Sequence, residues 1–197
     1  MRQKHALPMT AAGGDRRAHA PARCIARLRT LGRARPQSTM ARMEYIDLFE
    51  RRGRLFDDLL MIASKLPPES FTAPGPTAGP SLRDLFLSWL EEQRKAVHGS
   101  LLAKTYTPLP LAAHGMVFDI GRAFGGFRLT LREQMEALGA ADLARRVKWT
   151  PAAGPAVDVT VDEVLAHLAM HDARMQGLIA ERLRQLGAAA PRVDLLG

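Results

Sequence analysis

The chain has one cysteine, Cys24, among 197 residues. A single thiol excludes any intrachain disulfide and fits a reducing compartment, so a cytoplasmic protein is expected. No apolar run approaches the ~20 residues needed to span a bilayer, so no membrane partner is expected. No repeat recurs at solenoid spacing. No serine sits in a strand-to-helix nucleophile elbow. The glycine-rich "GRAFGG" lacks the Lys-Ser/Thr ending and the strand-helix setting of a phosphate-binding loop. An apolar fraction of 47% is ordinary for a folded protein, and the length suits one domain with a sizeable core.

Acidic residues are nearly missing from the first 39 positions. Nine Arg and Lys stand there against Asp15 alone, a net of +8, which equals the net charge of the whole chain. Basic and acidic residues cancel in the remainder, so the high isoelectric point says nothing about the folded body. Residues 1–39 are rich in Ala, Arg, Pro and Gly and are expected to be disordered. Three readings of this extension compete. Translation could start at Met40 or Met43, just before the first amphipathic segment. The segment could be a basic arm that touches nucleic acid or anionic lipid. It could be an Arg-rich transit peptide. A secretory signal is not expected, because no apolar stretch follows the charges. Residues 40–197 are expected to form the folded domain, with no nucleic-acid contact of its own.

From Met43 onward the apolar residues recur at helical spacing. "YIDLFERRGRLFDDLLMIASKL" places Ile46, Phe49, Leu55, Leu59 and Ile62 on one stripe, with one longer interval across Gly53. The stripe stops before Pro67-Pro68, and "PPESFTAPGPTAGP" reads as a loop. "SLRDLFLSWLEEQRKAVHGSLLAK" opens on Ser81 as N-cap with Asp84 three residues on, and carries Leu82, Phe86, Trp89 and Val97 inward. "TYTPLPLAAHG" is a connector. "MVFDIGRAFGGFRLTLREQMEALG" is a third helix; its glycines imply close packing or a break near Gly125-Gly126. "AADLARRVKWTPAAGPAVDVT" is a long link with room for short strands at "RVKW" or "AVDVT". A fourth helix starts at Thr160, with Glu163 completing a capping box, and stops at Gly187. Four amphipathic helices predict an all-α four-helix bundle.

On the fourth helix Val161, Leu165, Leu168, Ile179, Leu183 and Leu186 form the stripe expected to be buried. His167, His171 and Met175 stand one turn apart beside it. Two histidines at i and i+4 can share one metal ion, and Glu92 on the second helix is a reasonable third ligand. That set of His167, His171 and Glu92 would suit Zn²⁺ or Ni²⁺. The competing reading makes the histidines hydrogen-bonded residues at the core margin and Met175 a core filler, with no cofactor.

Two stretches carry a resemblance. "SLRDLFLS" and "HDARMQGLIAERLRQLG" resemble the second and fourth helices of the DinB-like family, bacterial four-helix-bundle proteins that include thiol-dependent S-transferases and related metalloenzymes. The resemblance spans about residues 43–197. It implies a metal held by one histidine of the second helix and two of the fourth. His171 matches the first ligand of the fourth helix. Ser88 stands where the second-helix histidine would be, and Met175 where the last ligand would be. His167 matches an upstream histidine that is usually not a ligand. The resemblance therefore implies the fold together with a degraded metal site. Three functions follow as expectations. One is a binding protein holding a small molecule in an inter-helix pocket near Ser88, Trp89, His171 and Met175. Another is a metal-dependent S-transferase or hydrolase using the shifted site. The third is a nucleic-acid-associated protein acting through its basic arm. Pairing of helix faces into a homodimer suits such bundles.

Overall fold

The structure, a computed structural model, describes residues 42–150 and 155–191. The readings of the extension, and of Met40 as a start, lie outside the described residues. The order is helix α1 (Arg42–Ala63), helix α2 (Pro68–Thr72), helix α3 (Leu82–Lys95), helix α4 (Val117–Ala137), helix α5 (Ala140–Leu143), strands β1 (Arg146–Trp149) and β2 (Val157–Thr160), and helix α6 (Val161–Gln185). The fold is thus mostly helical, with one small hairpin. Among the described residues no helix is long and apolar enough to cross a membrane.

The long helices begin and end where local chemistry directs. The backbone N–H of Asp84 donates to Ser81 Oγ at 3.1 Å, and the N–H of Ser81 donates back to Asp84 Oδ2 at 3.2 Å. Thr160 and Glu163 make the same reciprocal pair, at 3.1 and 2.7 Å. Each box satisfies two N–H groups that a helix start leaves without partners. At the far end of α6, Gly187 takes a φ of 81°, a left-handed conformation that costs glycine nothing. The N–H groups of Gly187 and Ala188 then reach back to the carbonyls of Arg184 and Leu183, closing a Schellman motif.

Helix α1 packs on α4 and α6, and α3 packs on the same two, so the four long helices surround one core. Phe56 of α1 lies at its centre. Its ring stacks on Phe124 of α4 at 3.6 Å between centroids, meets Phe86 of α3 edge-on at 5.2 Å, and touches Trp89 at 4.7 Å. Leu82, Leu90, Ile120, Leu165, Leu168 and Ile179 are fully buried around it. Tyr45 ties the start of α1 to α6 by donating to Asp162 Oδ1 at 2.9 Å.

Several links differ from the sequence reading. "PPESFTAPGPTAGP" is not wholly loop: Pro68 occupies the first turn of α2, where its missing N–H is harmless, and Phe71 anchors the turn in the core at 2% exposure. Helix α3 is α-helical only to Lys95 and continues as a π-helical turn, Ala96–Leu101, that keeps Val97 and Leu101 buried. Helix α4 runs unbroken through Gly125-Gly126. The close packing falls at Gly121 instead, where an added Cβ would stand 3.1 Å from Leu60 Cδ2. The long link holds α5 and the antiparallel pair β1–β2, with Val147 opposite Val159 and Trp149 opposite Val157. Alternation in "RVKW" turns Val147 and Trp149 inward and Arg146 and Lys148 outward.

Candidate functional site

The histidine column lies along α6, facing the second half of α3. His167 Nε2 stands 3.5 Å from Glu92 Oε1. The His167 ring sits between Trp149 and His171, at 5.1 and 6.4 Å between centroids. The hairpin thereby places an indole against one end of the column. Burial pushes the Glu92 carboxyl up, but the hydrogen bond from His167 outweighs it, together with the charges that both histidines carry in acid and the charge of Lys95, and the group is held below the usual carboxylate range. Burial pushes the His171 imidazole down to about 4, against the pull of Glu92 and helped by His167 and Arg174. His171 is therefore neutral at pH 7. Its Nδ1 is buried and has no hydrogen-bond partner among the described residues.

Behind this column lies a second, deeper polar layer that the stripes of apolar residues did not disclose. Asp172 is fully buried and accepts from Trp89 Nε1 at 2.6 Å. Both of its oxygens lie 2.7 Å from Gln93 Nε2. Burial drives its carboxyl up to about 7, while the Gln93 and Trp89 donors and the Arg52 charge hold it from going further. One turn along, Gln176 is also fully buried. It accepts from Arg52 Nη1 at 2.6 Å and donates to the Arg52 carbonyl at 3.2 Å. Arg52, Gln93, Asp172 and Gln176 occupy core-facing positions of three helices, where Gln93 pairs with Asp172 and Arg52 with Gln176; Gln93 Oε1 is left without a partner among the described residues.

The expected pocket residues fall in different places. Ser88 is exposed on α3. Trp89 is fully buried, with its N–H committed to Asp172. Met175 is 5% exposed and packed in the core. His171 alone of the four stands at the column. The positions at which the resemblance implies metal ligands therefore present an exposed hydroxyl, a core thioether and one imidazole. That donor set does not fit Zn²⁺ or Ni²⁺. In the shifted set, Glu92 and His167 face each other at 3.5 Å, with His171 one turn along. Among the described residues, no group of three or more His, Cys, Asp or Glu is arranged to hold a metal ion.

A sizeable cavity lies elsewhere among the described residues, between α1, α2 and the start of α4. It is a groove of about 510 Å³ whose lining includes Leu60, Ala63, Phe71, Val117 and Gly121. Met61, Met116 and Phe118 stand at its mouth at 59%, 56% and 74% exposure. Gly121 opens it, because any side chain there would crowd Leu60. Its charged edge residues already have partners: Asp57 with Arg128 at 2.7 Å, and Arg122 with Asp119 at 3.0 Å. Apolar periodicity does not reveal this groove, since its lining is drawn from two helices and a link that reads as loop. No family model matches the chain, and no curated protein matches it either.

Proposed function

We propose that this chain is a DinB-like four-helix bundle that works without a metal and binds a small, neutral, apolar molecule in the groove between α1, α2 and α4. One observation carries the reading: the groove is open, apolar and about 510 Å³, within the range of about 300–1,000 Å³ that small-molecule sites occupy. Asp57 and Arg122 each already hold an ion-pair partner, Arg128 and Asp119, which supports a neutral ligand. The ring of four long helices supports the bundle. The histidine column then serves as part of the polar interior, where Glu92 and His167 satisfy each other.

The test uses N-phenyl-1-naphthylamine, a neutral apolar fluorophore, titrated into the full chain. We expect saturable binding at one site. Ser64 is an exposed residue on the groove wall, so Ser64→Trp should fill the groove without disturbing the core and weaken binding by about tenfold or more. His171→Ala should leave binding unchanged. Binding that survives Ser64→Trp, or that disappears with His171→Ala, would overturn the assignment.

A further inference from the structure

The two most exposed large apolar side chains described are Phe118, at 74%, and Leu129, at 65%, and both belong to α4. They are three turns apart. At 100° per residue, Phe118, Arg122, Gly125, Leu129 and Glu133 fall within an arc of roughly 80°, with Gly126 at its edge. The face is exposed along its length. Gly125 and Gly126 have no conformational reason to be glycine, since neither takes a positive φ. Nor does any neighbour exclude a side chain: an added Cβ at either would meet nothing within 4 Å. Each glycine costs the helix stability relative to alanine. What the pair does create is a notch between two apolar projections.

We infer that this face of α4 is where a second copy of the chain docks, antiparallel, to form a symmetric dimer. The argument is self-complementarity. A two-fold contact places the same surface on both sides, so each feature must find its counterpart on the same helix. The antiparallel register that sets Arg122 opposite Glu133 of the second copy also sets Leu129 opposite Gly126. Arg122 and Glu133 lie on the same side of the face's midline, so the opposite charges meet, and symmetry makes the contact twice. Arg122 is 70% exposed and pairs with Asp119 of its own helix through Nη2 at 3.0 Å, which leaves its other N–H groups for the second copy; Glu133 is exposed with no ion-pair partner among the described residues. Leu129 of each copy enters the notch at Gly125-Gly126 of the other. A parallel arrangement would set Arg122 against Arg122 and Leu129 against Leu129. Phe118 extends the apolar strip toward the groove mouth.

Sedimentation velocity on the full chain over a wide concentration range tests this. We expect a reversible dimer. Leu129→Glu should place a charge in the notch and leave monomer throughout. Arg122→Glu and Glu133→Arg, made singly, should each weaken association by about tenfold or more, and the two together should restore it. All these positions are exposed, so circular dichroism should show unchanged helix content. Leu129 does not line the groove, so Leu129→Glu should still bind N-phenyl-1-naphthylamine, which keeps this inference separate from the ligand assignment. A chain that is monomeric at every concentration would overturn it. So would a dimer indifferent to Leu129→Glu, or charge reversals that fail to compensate.

Discussion

Asp172→Ala is expected to destabilise the protein by about 3–5 kcal/mol, a large share of the total stability of a domain. Asp172 is fully buried, and its two oxygens are the acceptors for Trp89 Nε1 and Gln93 Nε2. Removing the carboxyl leaves two buried donors with nothing to receive them and opens a void among helices that cannot close on it. For a domain of this size the midpoint should fall by roughly 10–15 °C. Asp172→Asn is the control. It retains the shape and one acceptor oxygen, so its loss should be about 1–2 kcal/mol. Thermal melts followed by circular dichroism decide this. If Asp172→Ala melts with the wild type, the polar layer does not hold the helices together.

The pH dependence of stability should show two opposing slopes. The Asp172 carboxyl is raised from 3.8 to about 7 by burial. The folded chain therefore keeps a proton that the unfolded chain has released, and this contribution is full below 3.8 and lost as pH rises through about 7. The His171 imidazole is lowered from 6.5 to about 4, again by burial. Here the unfolded chain takes up a proton that the folded chain refuses, so the contribution is full above 6.5 and lost as pH falls toward 4. The surrounding charges differ. Asp172 feels Arg52 from α1 and His167 from its own helix, while His171 feels Glu92 from α3 together with His167 and Arg174. Between pH 4 and 6.5 the two slopes, each up to about 1.4 kcal/mol per pH unit, should largely cancel. Urea titrations at stepped pH should then separate them. Relative to wild type, Asp172→Asn should gain stability as pH rises through this range, and His171→Gln should lose it. Carboxylates elsewhere titrate in acid in all three proteins, so the differences between profiles carry the result. Parallel profiles would contradict the assignment of both groups.

The capping boxes at Ser81 and Thr160 and the stop at Gly187 were legible because each depends on residues three or four apart. The polar layer was also written in the sequence, as interruptions. The α1 stripe has a long interval across Gly53, and Arg52 fills it at 8% exposure. The α3 stripe passes from Trp89 to Val97, and Gln93 lies between at 3%. The α6 stripe passes from Leu168 to Ile179, and Asp172 and Gln176 occupy the core register between them. A search for apolar residues skips these positions; a search for core positions occupied by polar residues on three helices would have marked them together. Gly53 had a separate reason. An added Cβ there would stand 2.7 Å from Arg128 Nε, so its absence admits the guanidinium that pairs with Glu50 and Asp57. Helix α2 and the groove were not legible, because burial of Phe71 depends on tertiary contacts that local composition does not encode. Trp149 reached the histidine column through the β1–β2 register, which joins residues separated by a link.

The measurement that bears most directly on a metal-free bundle is the metal content of the full chain by elemental mass spectrometry. It would be made after exposure to Zn²⁺ and Ni²⁺ and removal of unbound ion, beside His171→Ala. We predict substoichiometric metal that is the same in both proteins. Near-stoichiometric metal that His171→Ala loses would contradict the account. It would return the column of Glu92, His167 and His171 to the centre of the protein's chemistry.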